Sequence, residues 1–246
     1  MIQQGAEGSE AYFVARGELL AEREHDGRTM VLARLTNGAV FGEMALLSRA
    51  PRAGSVVTTR PSIVVRTDKE ALDAVAEAYP EVGAALAAYG RDRMVQNLVR
   101  MSELFALVKE DGRAALVARA VPRLFERGER LLGRGEAAPG VYILASGEVS
   151  VVGVDEASGD PLAEGTLGPG ETAGEDALVL RRPCTADVIA VHPTVTLFLS
   201  QEAFREVIEE NPAVLLGLYK LAVRRDEESA SIQSEEAAVV DDFVVD

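Results

Sequence analysis

The sequence predicts a mainly β architecture with flanking helices (α+β): two tandem jelly-roll-like rolls, the first lacking its opening helix and strand. Two observations carry this expectation. The chain repeats itself, and each copy runs through short strands separated by glycine turns before switching to helical spacing. Shifting the chain on itself by 130 residues aligns Ile2 with Leu132, Gly5 with Gly135, Tyr12 with Tyr142 and Gly17 with Gly147. After two extra residues in the second copy's hairpin around Asp155–Asp160, an offset of 132 aligns Gly38 with Gly170, Glu70 with Glu202 and Pro80 with Pro212. Internal repetition at this length means one supersecondary unit used twice.

In the first copy, strands are expected around Ala11–Val14, Thr29–Leu35, Ala53–Thr58 and Ser62–Arg66. In the second they fall at Val141–Leu144, Val149–Val154, Ala186–Val191 and Thr194–Leu199. Strands this short, punctuated by Gly-Glu turns, indicate a small barrel or roll rather than a doubly wound sheet. Glu70–Ala88 and Gln201–Arg225 then take helical spacing, with apolar residues at Leu72, Val75, Ala76 and Tyr79, and at Phe204, Val207 and Ile208. Pro80 and Pro212 divide each helical stretch in two. Between the copies, Ala84–Val99 is rich in helix formers, interrupted by Gly90. A helix at Glu110–Ala120 and a strand at Pro122–Arg127 open the second copy. Nothing corresponds to them ahead of Met1, so the first roll is expected to expose a sheet edge, as a fragment or a chain with a misassigned start would.

Composition bounds the function. At 246 residues the chain suits two domains. No apolar run approaches the ~20 residues that cross a bilayer, and no charged-then-apolar leader is seen. The single cysteine, Cys184, excludes an internal disulfide and fits a cytoplasmic setting. A net charge of −15 opposes a non-specific hold on nucleic acid or membrane. His25 and His192 have no spacing partner, so neither a metal site nor a jelly-roll metalloenzyme is expected.

One cassette carries chemistry. Phe41-Gly42-Glu43-Met44-Ala45-Leu46 precedes Pro51-Arg52-Ala53 in the first copy, and Gly174-Glu175-Asp176-Ala177-Leu178 precedes Pro183-Cys184-Thr185 in the second. A helical turn starting near Met44 offers free backbone N–H groups to an anion, and Arg52 adds a forked cation suited to phosphate. Gly42 permits close approach. Glu43 suits sugar hydroxyls, as acidic residues do in dinucleotide sites. The bland alternative is a surface Glu43–Arg52 ion pair, worth about 0–1 kcal/mol.

This cassette resembles the phosphate-binding cassette of cyclic nucleotide-binding domains, the family that includes the regulatory subunit of cAMP-dependent protein kinase and bacterial catabolite-activator proteins. The resemblance extends over both copies, to about residue 226. It implies a cyclic phosphate on Arg52 and the Ala53 amide, the ribose 2′-hydroxyl on Glu43, and backbone contacts from Gly42 and Ala45. Ala53, where cGMP-selective members tend to carry threonine, favours cAMP over cGMP. The resemblance also implies an apolar or aromatic cap from a following helix; Tyr89, Met94 or Leu98 could serve copy one and Tyr219 copy two, although their spacing favours ordinary packing for each.

Copy two places Cys184 where copy one has Arg52. Losing one partner of a buried ion pair costs roughly 3–5 kcal/mol, so this copy is expected to bind poorly or not at all. Arg181 and Arg182 are expected at the solvated tip of its cassette, and Glu175, Asp176 and Asp187 would leave it acidic. The last 21 residues hold eight acids and no base; they read as a disordered tail or, at Val239–Val245, a short docking peptide. The expected organisation is a ligand-binding unit at 1–103, a degenerate unit at 104–226 and an acidic tail at 227–246. Together these describe a bacterial-type, non-enzymatic allosteric regulator acting on a protein partner such as a kinase through its helices or tail. The alternative is a ligand-free scaffold.

Overall fold

The computed structural model describes residues 1–25, 27–43, 50–154 and 159–224. The turn expected from Met44, the Ala45 contact, the tip of the hairpin at Asp155 and the acidic tail lie outside the described residues.

The first roll is built from β1 (Glu10–Arg16), β2 (Leu19–His25), β3 (Arg28–Leu35), β4 (Val40–Phe41), β5 (Ser55–Thr58) and β6 (Ile63–Asp68). Among the described residues they form two antiparallel sheets, β4-β1-β6 and β3-β2-β5, with Ile2 bridging to Val56. Alternation places Val14, Leu19, Leu35, Phe41 and Val56 between the sheets, and Tyr12 stacks on Phe41 with ring centroids 5.1 Å apart.

Helix α1 (Lys69–Ala78) starts where Asp68 accepts a hydrogen bond from the Ala71 N–H at 2.8 Å. Pro80 opens α2 (Pro80–Met101), where its missing N–H costs nothing. Gly90 does not interrupt α2 as its composition suggested; it lies buried inside one continuous helix, where packing outweighs its propensity cost of about 1 kcal/mol.

The second roll adds α3 (Glu103–Leu107), α4 (Glu110–Arg119) and β7 (Val121–Phe125) before its β8 (Arg130–Leu132). It continues through β9 (Gly140–Ser146), β10 (Val149–Val154), β11 (Pro161–Leu167), β12 (Thr172–Ala173), α5 (Glu175–Val179), β13 (Asp187–Ala190), β14 (Thr194–Ser200) and α6 (Gln201–Glu210), ending in helix α7 over 212–224. Its sheets are β12-β9-β14-β7 and β11-β10-β13-β8. The strand expected to reach Arg127 ends at Phe125 because Glu126–Glu129 closes a turn, with the Glu126 N–H donating to Glu129 Oε2 at 2.7 Å.

The two copies differ most at one edge. β14 is paired on both sides, by β9 and by β7, whereas β6 pairs only with β1 among the described residues. The second core draws Leu104, Phe105, Val108 and Leu116 from α3–α4 onto Leu197, Phe204, Val207, Val214 and Leu218. It also takes Leu98 from α2, so this core begins ahead of residue 104. No helix among the described residues is long and apolar enough to cross a membrane.

Candidate functional site

Four of the five cassette residues, Gly42, Glu43, Arg52 and Ala53, line one small cavity in the first roll. The chain leaves β4 through Gly42, whose φ of +80° is a left-handed conformation that favours glycine. That turn points the Gly42 carbonyl at Arg52 Nη1, which donates to it at 2.7 Å; Nη2 donates to the Glu10 carbonyl of β1 at 2.8 Å. Gly42 therefore has a role that its sequence position alone did not suggest: it is an acceptor for the arginine. A Cβ there would lie 2.8 Å from Nη1, and one on Gly8 would lie 2.0 Å from Arg52 Nε, so the guanidinium rests directly on two glycine backbones. Arg52 is buried, and burial pulls its pKa down while Tyr12, Glu10 and Glu43 push it back. Two of its five N–H donors are given to these carbonyls.

Glu43 is also buried and forms no ion pair with Arg52, which excludes the surface-pair alternative. Desolvation raises its pKa; a backbone hydrogen bond and the charges of Arg93 and Arg52 act against that rise. A carboxyl in this cavity without a close cationic partner is placed to accept a hydrogen bond, as from a hydroxyl.

Two residues that the sequence does not single out, Arg93 and Asn97 on α2, also line the cavity. The candidate caps Met94 and Leu98 point the other way, into the second roll's core. Tyr89 neither caps nor leaves: its hydroxyl sits 3.4 Å from the Val40 backbone N and O, with the Arg93 guanidinium 5.9 Å above its ring. The missed signal was the i, i+4 pair Arg93/Asn97, one residue out of phase with Met94/Leu98. Arg100 donates to the Leu32 carbonyl, tying the end of the same helix to β3. The cavity is about 70 Å³, below the ~300 Å³ from which small-molecule pockets range.

In the second roll the backbone frame is the same. Gly5 and Ala6 bond the Arg52 backbone at 2.9 Å, as Gly135 and Glu136 bond that of Cys184 at 2.8 and 2.9 Å. At this position the side chain differs. The Cys184 thiol is buried among Leu132, Ala138, Tyr142, Ala177 and Val188, and burial, with Asp176 adding to it, pushes its pKa up. Arg182 is half-buried rather than at a solvated tip, with Nη2 3.9 Å from Asp176 Oδ2; Arg181 is exposed. Asp187 faces away, paired with Arg130 at 3.3 Å and accepting from the Arg134 N–H at 3.0 Å. Tyr219 is half exposed and caps nothing.

Residues 1–79 and 122–211 match the cyclic nucleotide-binding domain family. Over 212 residues, 85% of this chain, the sequence is 27% identical to the cAMP-dependent protein kinase type II regulatory subunit of Drosophila melanogaster and covers 52% of it. It is 26% identical over 209 residues, again 85% of the chain, to the cGMP-dependent protein kinase egl-4 of Caenorhabditis elegans, of which it covers 25%. The chain thus spans about half and a quarter of the lengths of these relatives. A solved structure of the regulatory domain of Toxoplasma gondii PKA with cAMP superposes with a TM-score of 0.50 at 24% identity, over 91% of this chain and 82% of that one. That likeness establishes the fold. Both relatives are animal proteins, so the bacterial type expected from the sequence finds no support in them. The repeated fold, the cassette and the matched residues agree: the chain belongs to the cyclic nucleotide-binding domain family, as a tandem pair of rolls resembling regulatory subunits of cAMP-dependent protein kinase.

Proposed function

We propose that this chain senses a cyclic nucleotide, cAMP in preference to cGMP, through the first roll alone. The observation that carries this reading is the buried Arg52, held on the Gly42 and Glu10 carbonyls in the same cavity as Glu43. In this reading Arg52 and the Ala53 amide take the cyclic phosphate, Glu43 takes the ribose 2′-hydroxyl, and Gly42 and Ala45 supply backbone contacts. Residues 1–103 form the binding unit. Residues 104–226 form a silent one, because Cys184 supplies no countercharge and sits in apolar packing. The tail from 227 lies beyond both.

The mechanism runs through α2. Its Arg93/Asn97 face lines the first pocket while its Leu98 face belongs to the second core. A ligand that displaces the first face must disturb the second, and couplings of this kind are typically about 1–3 kcal/mol. The output is regulatory rather than catalytic and acts in the cytoplasm on a protein partner, a kinase being the class that the regulatory-subunit relative suggests.

Calorimetric titration with cAMP and cGMP tests this. One cAMP per chain, bound more tightly than cGMP, is expected. Two sites would remove the silent-roll reading, and a flat titration with both ligands would leave a ligand-free scaffold.

A further inference from the structure

Arg23 is a buried cation that the cassette does not include. It lies on β2 two residues after Ala21, so the two share one face of that strand, and Ala21 lines the cavity that holds Glu43. Arg23 is 9% exposed, and its Nη1 has no hydrogen-bond partner among the described residues. Buried polar groups are nearly always paired, and a guanidinium brings five donors. The roll itself does not require this residue: at the offset of 130 the second copy has Gly153 in its place.

The surroundings of Arg23 come from both rolls. Its guanidinium lies against Gly168 of the second roll, where a Cβ would be 2.9 Å from Nη2, so the missing side chain there leaves the room that Arg23 fills. Burial lowers its pKa, while the charges of Glu171 and Glu148, both in the second roll, raise it. Glu171 Oε2 accepts a hydrogen bond from the Gly168 N–H at 2.8 Å, which fixes that acid within its own turn. Arg23 and Arg52 line one cavity of about 140 Å³ at the junction of the rolls, together with Ala53, Glu148, Gly168 and His192. Two guanidiniums against one carboxylate leave this lining with a surplus of positive charge, in a chain whose net charge is −15. A singly charged phosphate diester balances that surplus, and it carries the acceptor oxygens that a guanidinium fork fits.

We propose that Arg23 is a second ligand-binding cation: its Nη1 donates to an exocyclic oxygen of the cyclic phosphate held by Arg52 and the Ala53 amide, and the second roll keeps it there through Glu171, Glu148 and the space at Gly168. The inference rests on the reading of Arg52 as the phosphate anchor. It gives the second roll a part in binding even though its own cassette is silent.

The test is calorimetric titration of the intact chain with cAMP, for wild type, Arg23→Gln, Arg23→Lys and Arg52→Ala, alongside melting of each protein without ligand. Arg23→Gln is expected to bind cAMP at least tenfold more weakly, as loss of a hydrogen bond to a charged group predicts. Arg23→Lys, which keeps the charge and loses the fork, should recover part of that loss. Without ligand, Arg23→Gln should melt no lower than wild type, because it removes a buried cation with an unpaired donor. A structural strut would behave in the opposite way. Affinity within twofold of wild type in Arg23→Gln overturns the proposal, and leaves the reading of Arg52 standing if Arg52→Ala loses binding in the same series. Lower melting of Arg23→Gln, with an affinity loss that Arg23→Lys does not reduce, also overturns it, since Arg23 would then only hold the rolls together. A flat titration of the wild type removes the reading of Arg52 first, and this inference with it.

Discussion

Replacing Arg52 by alanine separates binding from folding. The guanidinium makes two charge-assisted hydrogen bonds, to the Gly42 and Glu10 carbonyls at 2.7 and 2.8 Å, each worth about 1.5–3 kcal/mol. Against this stands the cost of burying the cation, which is itself several kcal/mol. The two nearly cancel, so Arg52→Ala should lose only about 1–2 kcal/mol, or roughly 4–16 °C in the melting of a roll of this size. The ligand term does not cancel. Loss of the phosphate's countercharge removes about 3–5 kcal/mol of affinity, a factor of hundreds to thousands. At a cAMP concentration 100-fold above the wild-type Kd, linkage stabilises the wild type by about 2.7 kcal/mol; with Kd raised 100-fold or more, the gain falls to about 0.4 kcal/mol or less. Differential scanning calorimetry of both proteins with and without cAMP reads both quantities. A variant that keeps the wild-type cAMP shift would show that Arg52 is a structural strut and that the phosphate lies elsewhere.

Glu43→Gln tests the buried carboxyl. Its folded pKa lies above the unfolded value because of desolvation, so the native state holds the proton more tightly. Ionisation then costs stability, a cost absent below the unfolded pKa of about 4.3 and fully present above the raised folded pKa. Glu43→Gln should therefore melt higher than wild type at pH 7 and level with it near pH 4, while binding cAMP about tenfold more weakly, as the loss of one hydrogen bond to a charged group predicts; equal melting at pH 7 would contradict the burial argument. Cys184→Arg should not create a second site: it buries a cation among Leu132, Ala138 and Tyr142 and should cost several kcal/mol by urea denaturation, whereas a stable variant binding two cAMP would mean the second cassette is latent rather than closed. The repeat positions offer a paired test, since Val207→Ala should cost about 2 kcal/mol through lost burial and a cavity and Val75→Ala less than about 0.5 kcal/mol; equal losses in chemical denaturation would mean α1 is covered after all.

Much of the molecule was legible before any coordinates. Asp68 and Ser200, equivalent by the repeat, both cap helices by accepting an N–H three residues on, because capping is decided by residues adjacent in sequence. Pro80 marked a helix start for the same reason. Glu43 and Arg52, nine positions apart in sequence, line one cavity. The errors lie where two distant segments compete for one face. Apolar spacing at Met94 and Leu98 favours packing over a lid, and both pack, but spacing identifies a buried stripe without saying which neighbour buries it. Nothing local to Arg182 reveals that its side chain turns toward Asp176 instead of solvent.

The linear code by itself determined the duplication, the strand-then-helix order of each copy and the loss of a guanidinium at Cys184, because each is written in residue identities a few positions apart. Only the tertiary structure decided that Arg52 is anchored on the Glu10 carbonyl, that α2 serves two rolls with opposite faces, and that, among the described residues, β6 is paired on one side and its twin on both. Those outcomes depend on contacts between segments tens of residues apart, for which the geometry of packing supplies information that spacing along the chain does not contain.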